Sequence, residues 1–144
     1  MDLLKRASKI YEEVIVAVAH SPNKKPLFSV KERVAMIKNI TTDIKNIRVD
    51  DFSSLIADYV KEVNAKVVIR GIRMISDFEY EFQMALTNRR LNPEVETIFL
   101  MPSESYCYLS SKLIKEAVSL GANVEHFVPK KVADALKRKL LKNE

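Results

Sequence analysis

Cysteine and glycine are scarce in this sequence of 144 residues, which holds one cysteine and two glycines. The single cysteine, Cys107, has no partner for a disulfide within the chain, as is typical of proteins in the reducing cytosol. No apolar run approaches the ~20 residues that a membrane-spanning helix needs, and the charged, amphipathic N-terminus does not resemble a signal peptide. The sequence therefore predicts a cytoplasmic protein without membrane contact, folded as one domain over residues 1–144.

The sequence also lacks the short motifs that mark several common catalytic and cofactor sites. It has no Walker loop, no GxGxxG, no CxxC and no HExxH, so phosphate-loop hydrolysis, dinucleotide binding and zinc sites have no sequence support. Cys107 has no evident histidine partner and is better interpreted as a small hydrophobic residue than as a nucleophile. His20 follows a predicted strand and could reach a site there, but a solvent-exposed histidine is the simpler interpretation. No metal-ligating residue is predicted.

Positive charge is in moderate excess, with a formal net charge of +5, and much of it lies between Lys130 and Lys142. A nucleic-acid-binding surface normally combines basic with aromatic residues, and this chain has no aromatic residue after Phe127. We interpret the excess first as a solvated helix face, second as a preference for anionic ligands and third as a nucleic-acid surface. The sequence thus favours a protein without a nucleic-acid partner.

Hydrophobic periodicity divides the chain into alternating helices and strands. Six helices are predicted: over Asp2–Glu13, from the capping box Ser29–Glu32, after Asp51–Ser54, over Asp77–Leu91, over Leu109–Leu120, and from Pro129. In the last of these helices, the residues predicted to face inward are Val132, Ala135, Leu136, Leu140 and Leu141. Strands are predicted at Val14–Ala19, Asn46–Val49, Val67–Ile69 and Thr97–Leu100. Gly121 is the expected left-handed residue that ends its helix. This alternation is typical of an α/β fold in which an open parallel sheet carries helices on both faces.

A glycine between two arginines follows the buried strand Val67–Ile69. Because glycine is rare in this chain, Gly71 is expected to serve a tight turn or the close approach of a ligand. Anions bind in α/β folds where a parallel strand ends beside a helix N-terminus, so Arg70 and Arg73 are expected to hold phosphates. The alternative is that they form surface ion pairs with the carboxylates that follow, which are Asp77, Glu79 and Glu81.

The helix after this turn is predicted to start near Asp77. Ser76 and Glu79 have the spacing of a capping box, in which each side chain bonds the backbone N–H of the other residue. Glu81 lies one turn into the helix. It is expected to cap, to pair with Arg73, or to bond a nucleobase amine or ribose.

Three predicted loops leave the carboxyl ends of strands and so meet at one edge of the sheet. They are His20–Phe28 with Lys24 and Lys25, Arg70–Arg73, and Pro102–Lys112 with Tyr106, Tyr108, Ser110 and Ser111. Lysines bring mobile positive charge, arginines bring a forked grip on phosphate oxygens, and the serines bring hydroxyl and N–H donors at a helix start. The predicted ligand is a polyphosphate or a phosphorylated small molecule.

Three long segments carry a family resemblance. They read SPNKKPLFSVKERV, VVIRGIRMISDFEYEFQMALTNRRLNPEVETIFLMPS and YLSSKLIKEA, and they closely resemble the bacterial phosphopantetheine adenylyltransferases of the nucleotidyltransferase superfamily. The resemblance implies a Rossmann-like fold and transfer of AMP from ATP to 4′-phosphopantetheine, which yields dephospho-coenzyme A and pyrophosphate. It also implies Mg²⁺ bound with ATP, coenzyme A as a feedback ligand, and assembly as a homohexamer.

The resemblance assigns roles to individual residues. It places Lys24, Ile56 and Arg70 at 4′-phosphopantetheine. It places Gly71, Ile72, Arg73, Glu81, Tyr106, Cys107, Tyr108, Leu109, Ser110, Ser111 and Lys112 at ATP, with Arg73 and Ser111 as the catalytic residues present in this chain.

The sequence departs from the family pattern in two places. Lys112 stands where the family usually has a third serine or threonine, a change expected to shift one phosphate contact. The family motif YPGSFDPxTxGH, whose histidine stabilises the transition state, would end just before Met1, so we expect this chain to be an N-terminally truncated form of the enzyme. The alternative is a non-catalytic protein that binds ATP or coenzyme A.

Overall fold

The computed structural model describes residues 1–20 and 25–141 of the chain. The elements are α1 Asp2–Ile10, β1 Val14–Ala19, α2 Val30–Ile40, β2 Ile47–Phe52, α3 Ile56–Glu62, β3 Val67–Gly71, α4 Ile75–Leu91, β4 Glu96–Leu100, α5 Glu104–Cys107, α6 Ser111–Ser119 and α7 Lys130–Leu140. The predicted alternation of helices and strands is confirmed, with one additional short helix, α5. Across the described ranges, no helix combines the length and apolar character needed to cross a bilayer.

Within residues 1–20 and 25–141, the four strands form two two-stranded sheets. In one, β1 is the hydrogen-bonded neighbour of β2. In the other, β3 and β4 run parallel, with Val67 opposite Glu96 and Gly71 opposite Leu100. The predicted α/β class with parallel strands is therefore confirmed. The chain packs as two compact units, which are Met1–Val14 with Phe52–Cys107 (the first unit) and Ile15–Asp51 with Tyr108–Glu144 (the second unit).

In the first unit, α3 provides much of the buried apolar surface. Its Ala57, Tyr59 and Val60 are buried, and Ala57 and Val60 lie one turn apart on the same side of the helix. Val95, just before β4, is almost fully buried as well. The Asn92 side chain donates to the Ala57 carbonyl oxygen at 3.2 Å, which ties the end of α4 to α3.

In the second unit, the core lies between α6 and α7. Val118, Val124, Ala133 and Leu136 form the buried cluster, and apolar side chains from Leu27, Phe28, Ile114, Ala117, Val128, Val132 and Leu140 pack against it. Lys139 Nζ donates to the Leu27 carbonyl oxygen at 3.0 Å and to the Glu32 carboxylate at 2.8 Å. The hydrogen bond from Lys139 lowers the pKa of Glu32.

Most predicted boundaries are close to the observed ones, and the differences have local causes. Helix α1 ends at Ile10 because Tyr11 is extended, and β2 runs on to Phe52. The predicted inward position of Leu141 is wrong, because this side chain is 46% exposed just after α7 ends.

Two of the predicted helix ends are confirmed in detail. Ser29 and Glu32 form the capping box of α2, with the Ser29 N–H donating to the Glu32 carboxylate at 2.7 Å and the Glu32 N–H to the Ser29 hydroxyl at 3.2 Å. Gly121 has φ of 82° after α6. Its N–H donates to the Val118 carbonyl oxygen, and the Ala122 N–H donates to the Ala117 carbonyl oxygen, both at 2.9 Å. These two hydrogen bonds form a Schellman motif.

The predicted capping box at Ser76 is wrong. Helix α4 begins at Ile75 after an extended Met74, so Ser76 already lies inside the first turn and makes no capping hydrogen bond. In this frame Asp77 is the third helical residue, where the helix dipole favours a carboxylate, and it pairs with Arg73. The chain therefore enters the helix two residues earlier than the serine pattern suggests.

Ser29 caps α2 whereas Ser76 caps no helix, so the two serines should differ in their contribution to stability. We expect Ser29→Ala to lower the free energy of unfolding by ~1 kcal/mol, because it removes a side-chain cap from α2. Ser76→Ala is the matched control, and it should change stability by less than about 0.5 kcal/mol because it removes no cap. Urea unfolding measures both. Equal losses in the two variants would contradict the observed start of α4.

Candidate active site

Arg70 lies in β3 one residue before the strand ends, and it is held by Glu81 of α4. Its Nε donates to Glu81 Oε2 at 2.6 Å and its Nη2 to Oε1 at 2.5 Å, a two-pronged pair. The Arg70 side chain is 38% exposed and that of Glu81 only 11%. Hydrogen bonding to the Glu81 carboxylate raises the pKa of Arg70, so the guanidinium stays charged. Among the described residues, this pair uses two of the five N–H groups of Arg70 and leaves three for a ligand or solvent.

Arg73 lies in the short connection between β3 and α4. Its Nε donates to Asp77 Oδ2 at 3.2 Å, an ion pair across the first turn of the helix. The alternative interpretation, in which the arginines pair with the carboxylates that follow them, is thus confirmed for both. Glu81, for which Arg73 was one expected partner, pairs with Arg70. Such pairing holds each guanidinium in place, and charge-assisted pairs of this kind are stronger than hydrogen bonds between neutral groups.

Gly71 is the last residue of β3, and its backbone is not in the left-handed region. The predicted tight turn at this residue is therefore wrong. A Cβ built on Gly71 would lie 2.5 Å from Cδ1 of Leu3, so the close approach is by a side chain of α1. Ile72 extends the pairing, because its N–H donates to the Leu100 carbonyl oxygen at 3.2 Å.

Helix α1 also supports the segment that follows β4. Asp2 Oδ2 accepts from the Ser103 N–H at 3.0 Å, and Arg6 Nη1 donates to the Met101 carbonyl oxygen at 2.6 Å. Sequence reasoning missed both residues, since partners about a hundred positions away leave no local pattern. They anchor the segment that leads to Tyr106.

Helix α5 replaces part of the predicted loop and carries Tyr106 and Cys107. The Tyr106 N–H donates to the Ser103 carbonyl oxygen at 2.9 Å, which closes the turn. The Cys107 thiol lies 3.6 Å from the same oxygen and is half-buried, as expected for a small hydrophobic residue rather than an exposed nucleophile.

In the second unit, Ser110 and Ser111 form the start of α6. The Ser110 hydroxyl caps the helix by accepting from the Leu113 N–H at 3.2 Å, which is why α6 begins at Ser111 and not at the predicted Leu109. Both serines and Leu109 line a pocket of about 420 Å³. The pocket is mainly apolar, with walls from Leu27, Phe28, Ile114, Phe127, Val128 and Leu136.

Arg33 of α2 and Lys115 of α6 are the cations that line this pocket, and sequence reasoning missed both. The Nη2 of Arg33 donates to the Ala19 carbonyl oxygen at the end of β1, at 3.2 Å. Its Nε is buried and has no hydrogen-bond partner within the described ranges. Arg33 lies in the segment SPNKKPLFSVKERV, which carries part of the family resemblance, so the sequence did point to this region. A single arginine within a helix has no motif of its own that would have marked it as part of a pocket.

The predicted site residues thus fall into two described groups. In the first unit, Arg70, Gly71, Ile72, Arg73 and Glu81 surround the connection from β3 to α4, Tyr106 and Cys107 lie in α5, and Ile56 is the half-buried first residue of α3. In the second unit, Leu109, Ser110 and Ser111 line the pocket, while Tyr108 and Lys112 are exposed. Lys24 lies outside the described residues. The described part of the chain contains no group of three or more metal-ligating side chains.

Comparison with known proteins decides the family. Residues 1–117 match the model of the cytidylyltransferase-like family. The chain is 51% identical over 143 residues, or 99% of its length, to the phosphopantetheine adenylyltransferase of Caldanaerobacter subterraneus subsp. tengcongensis, of which it covers 89%. The chain belongs to the phosphopantetheine adenylyltransferase family.

Two further phosphopantetheine adenylyltransferases give the same answer. The protein of Alkaliphilus metalliredigens is 53% identical and that of Dictyoglomus thermophilum 48% identical, each over 96% of this chain and over 88% and 85% of the relative. The resemblance noted in the sequence is therefore confirmed. The parallel α/β architecture agrees with the Rossmann-like fold of cytidylyltransferases.

Proposed function

We propose that this chain transfers AMP from ATP to 4′-phosphopantetheine and so forms dephospho-coenzyme A and pyrophosphate. The observation that carries the proposal is its 51% identity, over 99% of its length, with a protein named phosphopantetheine adenylyltransferase. The charged Arg70 at the end of β3 and the serine-capped start of α6 supply the donors that phosphate groups require. The single cysteine suits a cytoplasmic enzyme.

In this reaction a phosphate oxygen of 4′-phosphopantetheine attacks the α-phosphorus of ATP, and the bond from that phosphorus to the bridging oxygen of pyrophosphate breaks. The protein's part is electrostatic, because charge grows on the phosphate oxygens as pyrophosphate leaves. We assign Lys24, Ile56 and Arg70 to 4′-phosphopantetheine. We assign Gly71–Arg73, Glu81 and Tyr106–Lys112 to ATP, with Arg73 and Ser111 stabilising the transition state.

A divalent cation, which we propose is Mg²⁺, accompanies ATP. Mg²⁺ keeps several water ligands and is held chiefly by substrate phosphates, so it needs few protein groups. When bound, the cation neutralises phosphate charge. Coenzyme A contains the 4′-phosphopantetheine unit, and we propose that it competes for the same residues as a feedback ligand.

We propose assembly as a homo-oligomer, with six copies. An exposed apolar face of α4 supports this, since Ile75, Phe78, Phe82 and Leu86 are all exposed and the rings of Phe78 and Phe82 stack with centroids 5.6 Å apart. Apolar patches of this kind mark protein interfaces. Light scattering after size-exclusion chromatography gives the mass directly, and a monomer at micromolar concentration would contradict the proposal.

The function is tested by incubating the protein with ATP, Mg²⁺ and 4′-phosphopantetheine and detecting dephospho-coenzyme A by mass spectrometry alongside pyrophosphate. Pantetheine, which lacks the attacking phosphate, is the control and should give neither product. Calorimetric binding of ATP without any product would identify the chain as a binding protein. Absence of both binding and product would overturn the proposal.

A further inference from the structure

The pocket beside the start of α6 has walls to which no role has been assigned. Its volume is about 420 Å³, and its mainly apolar lining includes Leu27, Phe28, Ile114, Phe127 and Val128. Sites for small organic molecules have volumes of about 300–1,000 Å³ and combine an apolar lining with a few polar groups. All residues that line this pocket belong to the second unit and to the described part of the chain. The pocket therefore has the size and the lining of a ligand site.

The charges that line the pocket are all positive. Among its lining residues, all of which the structure describes, Arg33 and Lys115 are charged and none is a carboxylate. Arg33 is held in place, because its Nη2 donates to the Ala19 carbonyl oxygen at 3.2 Å. Ser110 and Ser111 add hydroxyl groups where the dipole of α6 favours negative charge. This lining is complementary to a ligand that carries both an apolar group and a negative charge.

The wall formed by Leu27 and Phe28 is held in place by Lys139 of α7. Lys139 Nζ donates to the Leu27 carbonyl oxygen at 3.0 Å and lies 5.2 Å from the centroid of the Phe28 ring, within the range of a cation–π contact. It also donates to the Glu32 carboxylate at 2.8 Å, which in turn accepts from the Ser29 N–H. The wall is thus tied to α7 before any ligand binds, and such preorganisation favours affinity.

We infer that this pocket binds an amphipathic organic anion, a small molecule in which a ring system or short chain carries one acidic group. The apolar part packs on the wall that Lys139 holds, and the acidic group faces Lys115 and the two serines. Lys139 is a positioning residue, because it acts through that wall. Ser110 and Ser111 are also assigned to ATP, so the bound anion regulates ATP binding by competition. This last consequence rests on the proposed function.

Fluorescence titration with two matched dyes tests the chemical class of the ligand. Anilinonaphthalene sulfonate joins an apolar ring system to one negative charge, and phenylnaphthylamine has the same rings without the sulfonate. We expect saturable binding of the sulfonate with a Kd about 10-fold below that of the uncharged dye, the effect of one hydrogen bond to a charged group. Equal affinities for the two dyes would overturn the assignment of an anionic ligand.

Two lysine variants separate the charge of the pocket from its wall. Lys115→Met is expected to raise the Kd for the sulfonate about 10-fold and to leave that for the uncharged dye within about 2-fold. Lys139→Met is expected to raise both values about 5-fold, because the wall loses its hold, and Lys139→Arg should restore most of the affinity because it keeps a cation and N–H donors.

Lys131→Met is the matched control for both variants. Lys131 is exposed in α7 and bonds the Asn39 side chain at 3.1 Å, outside the pocket lining. This substitution should change neither Kd by more than about 2-fold, because solvent screens an exposed charge. Equal changes in Lys115→Met and Lys131→Met would overturn the charge contact.

NMR locates the dye without any substitution. We expect intermolecular nuclear Overhauser effects between the rings of anilinonaphthalene sulfonate and the methyl groups of Ile114, Val128 and Val132, which line the pocket. Contacts with Leu86, which is exposed on α4, and none with these three residues would overturn the inference.

Competition with ATP separates this inference from the proposed function. ATP with Mg²⁺ should displace the sulfonate, because both use Ser110 and Ser111. ATP binding in calorimetry without displacement of the dye would overturn the regulation inferred here and leave the proposed function intact. Dye binding in the pocket of a protein that binds no ATP would overturn the proposed function and leave the pocket assignment intact. Absence of saturable dye binding would overturn the inference.

Discussion

Replacing Arg70 with methionine is expected to lower kcat/KM for 4′-phosphopantetheine by at least about 100-fold. The substitution removes the cation assigned to the substrate phosphate, and charge-assisted hydrogen bonds of this kind are worth ~1.5–3 kcal/mol each. It also leaves the largely buried Glu81 carboxylate without the partner that now bonds both of its oxygens. An unpaired carboxylate beside the substrate phosphate repels it. Initial rates of pyrophosphate release at varied 4′-phosphopantetheine measure the change.

Arg89 supplies the matched control for Arg70. It lies in α4 and pairs with Glu96, but both side chains are more than half exposed, so solvent screens the pair. Arg89→Met is expected to leave kcat/KM within about 2-fold and to change stability by less than ~1 kcal/mol. An equal loss of activity in the two variants would show that Arg70 acts only through general stability.

A double variant separates the two contributions of Arg70. In Arg70→Met with Glu81→Gln the buried charge is gone, so the stability lost in Arg70→Met should largely return. The phosphate contact is still missing, so kcat/KM should remain low. Recovery of activity in the double variant would contradict the assignment of Arg70 to the substrate.

The largest effect on stability is expected for Leu136→Ala in the core between α6 and α7. Leu136 is 5% exposed and lies in the cluster with Val118, Val124 and Ala133. Truncating a buried leucine removes apolar atoms that folding had taken out of water, and it leaves a cavity. Together these effects lower the free energy of unfolding by ~2–5 kcal/mol. Urea unfolding should show the midpoint falling accordingly.

The control for Leu136 is Leu120→Ala, just after α6. Leu120 is 82% exposed, so its truncation should change the free energy of unfolding by less than about 0.5 kcal/mol. Similar losses in both variants would mean that α7 does not pack on α6 as described.

Local sequence patterns predicted the bounds of helices and strands well where the residues of one short segment determine those bounds. The apolar run Val14–Ala19 is a strand with the predicted bounds. Ser29 caps the start of α2 and Gly121 follows the end of α6, as their patterns indicate. Ser76 shows the limit of such patterns. Its spacing to Glu79 permits a capping box, but the chain leaving β3 enters the helix at Ile75, and a local pattern cannot fix that entry point.

The sequence predicted which residue types form the candidate site, but it did not predict which of these side chains pair with one another. The sequence offered three carboxylates for Arg70 and Arg73, and the choice of Glu81 for Arg70 depends on where the folded chain places α4 relative to the end of β3. The side chains of His20 and Asp51 also pair, at 2.7 Å. They lie 31 residues apart and share no motif, so this pairing emerges only in the folded chain. The roles assigned to individual site residues, including Lys24 outside the described residues, stay predictions.

The central proposal is that the turn after β3 and the serine-capped start of α6 are each a binding segment for the phosphates of ATP. Hydrogen exchange with mass spectrometry, with and without ATP and Mg²⁺, tests it most directly. We expect slower exchange in peptides that cover Arg70–Arg73 and Leu109–Lys112, and unchanged exchange in the basic helix α7. Protection confined to α7, with none at either predicted segment, would contradict the account and indicate non-specific binding of anions by the basic helix.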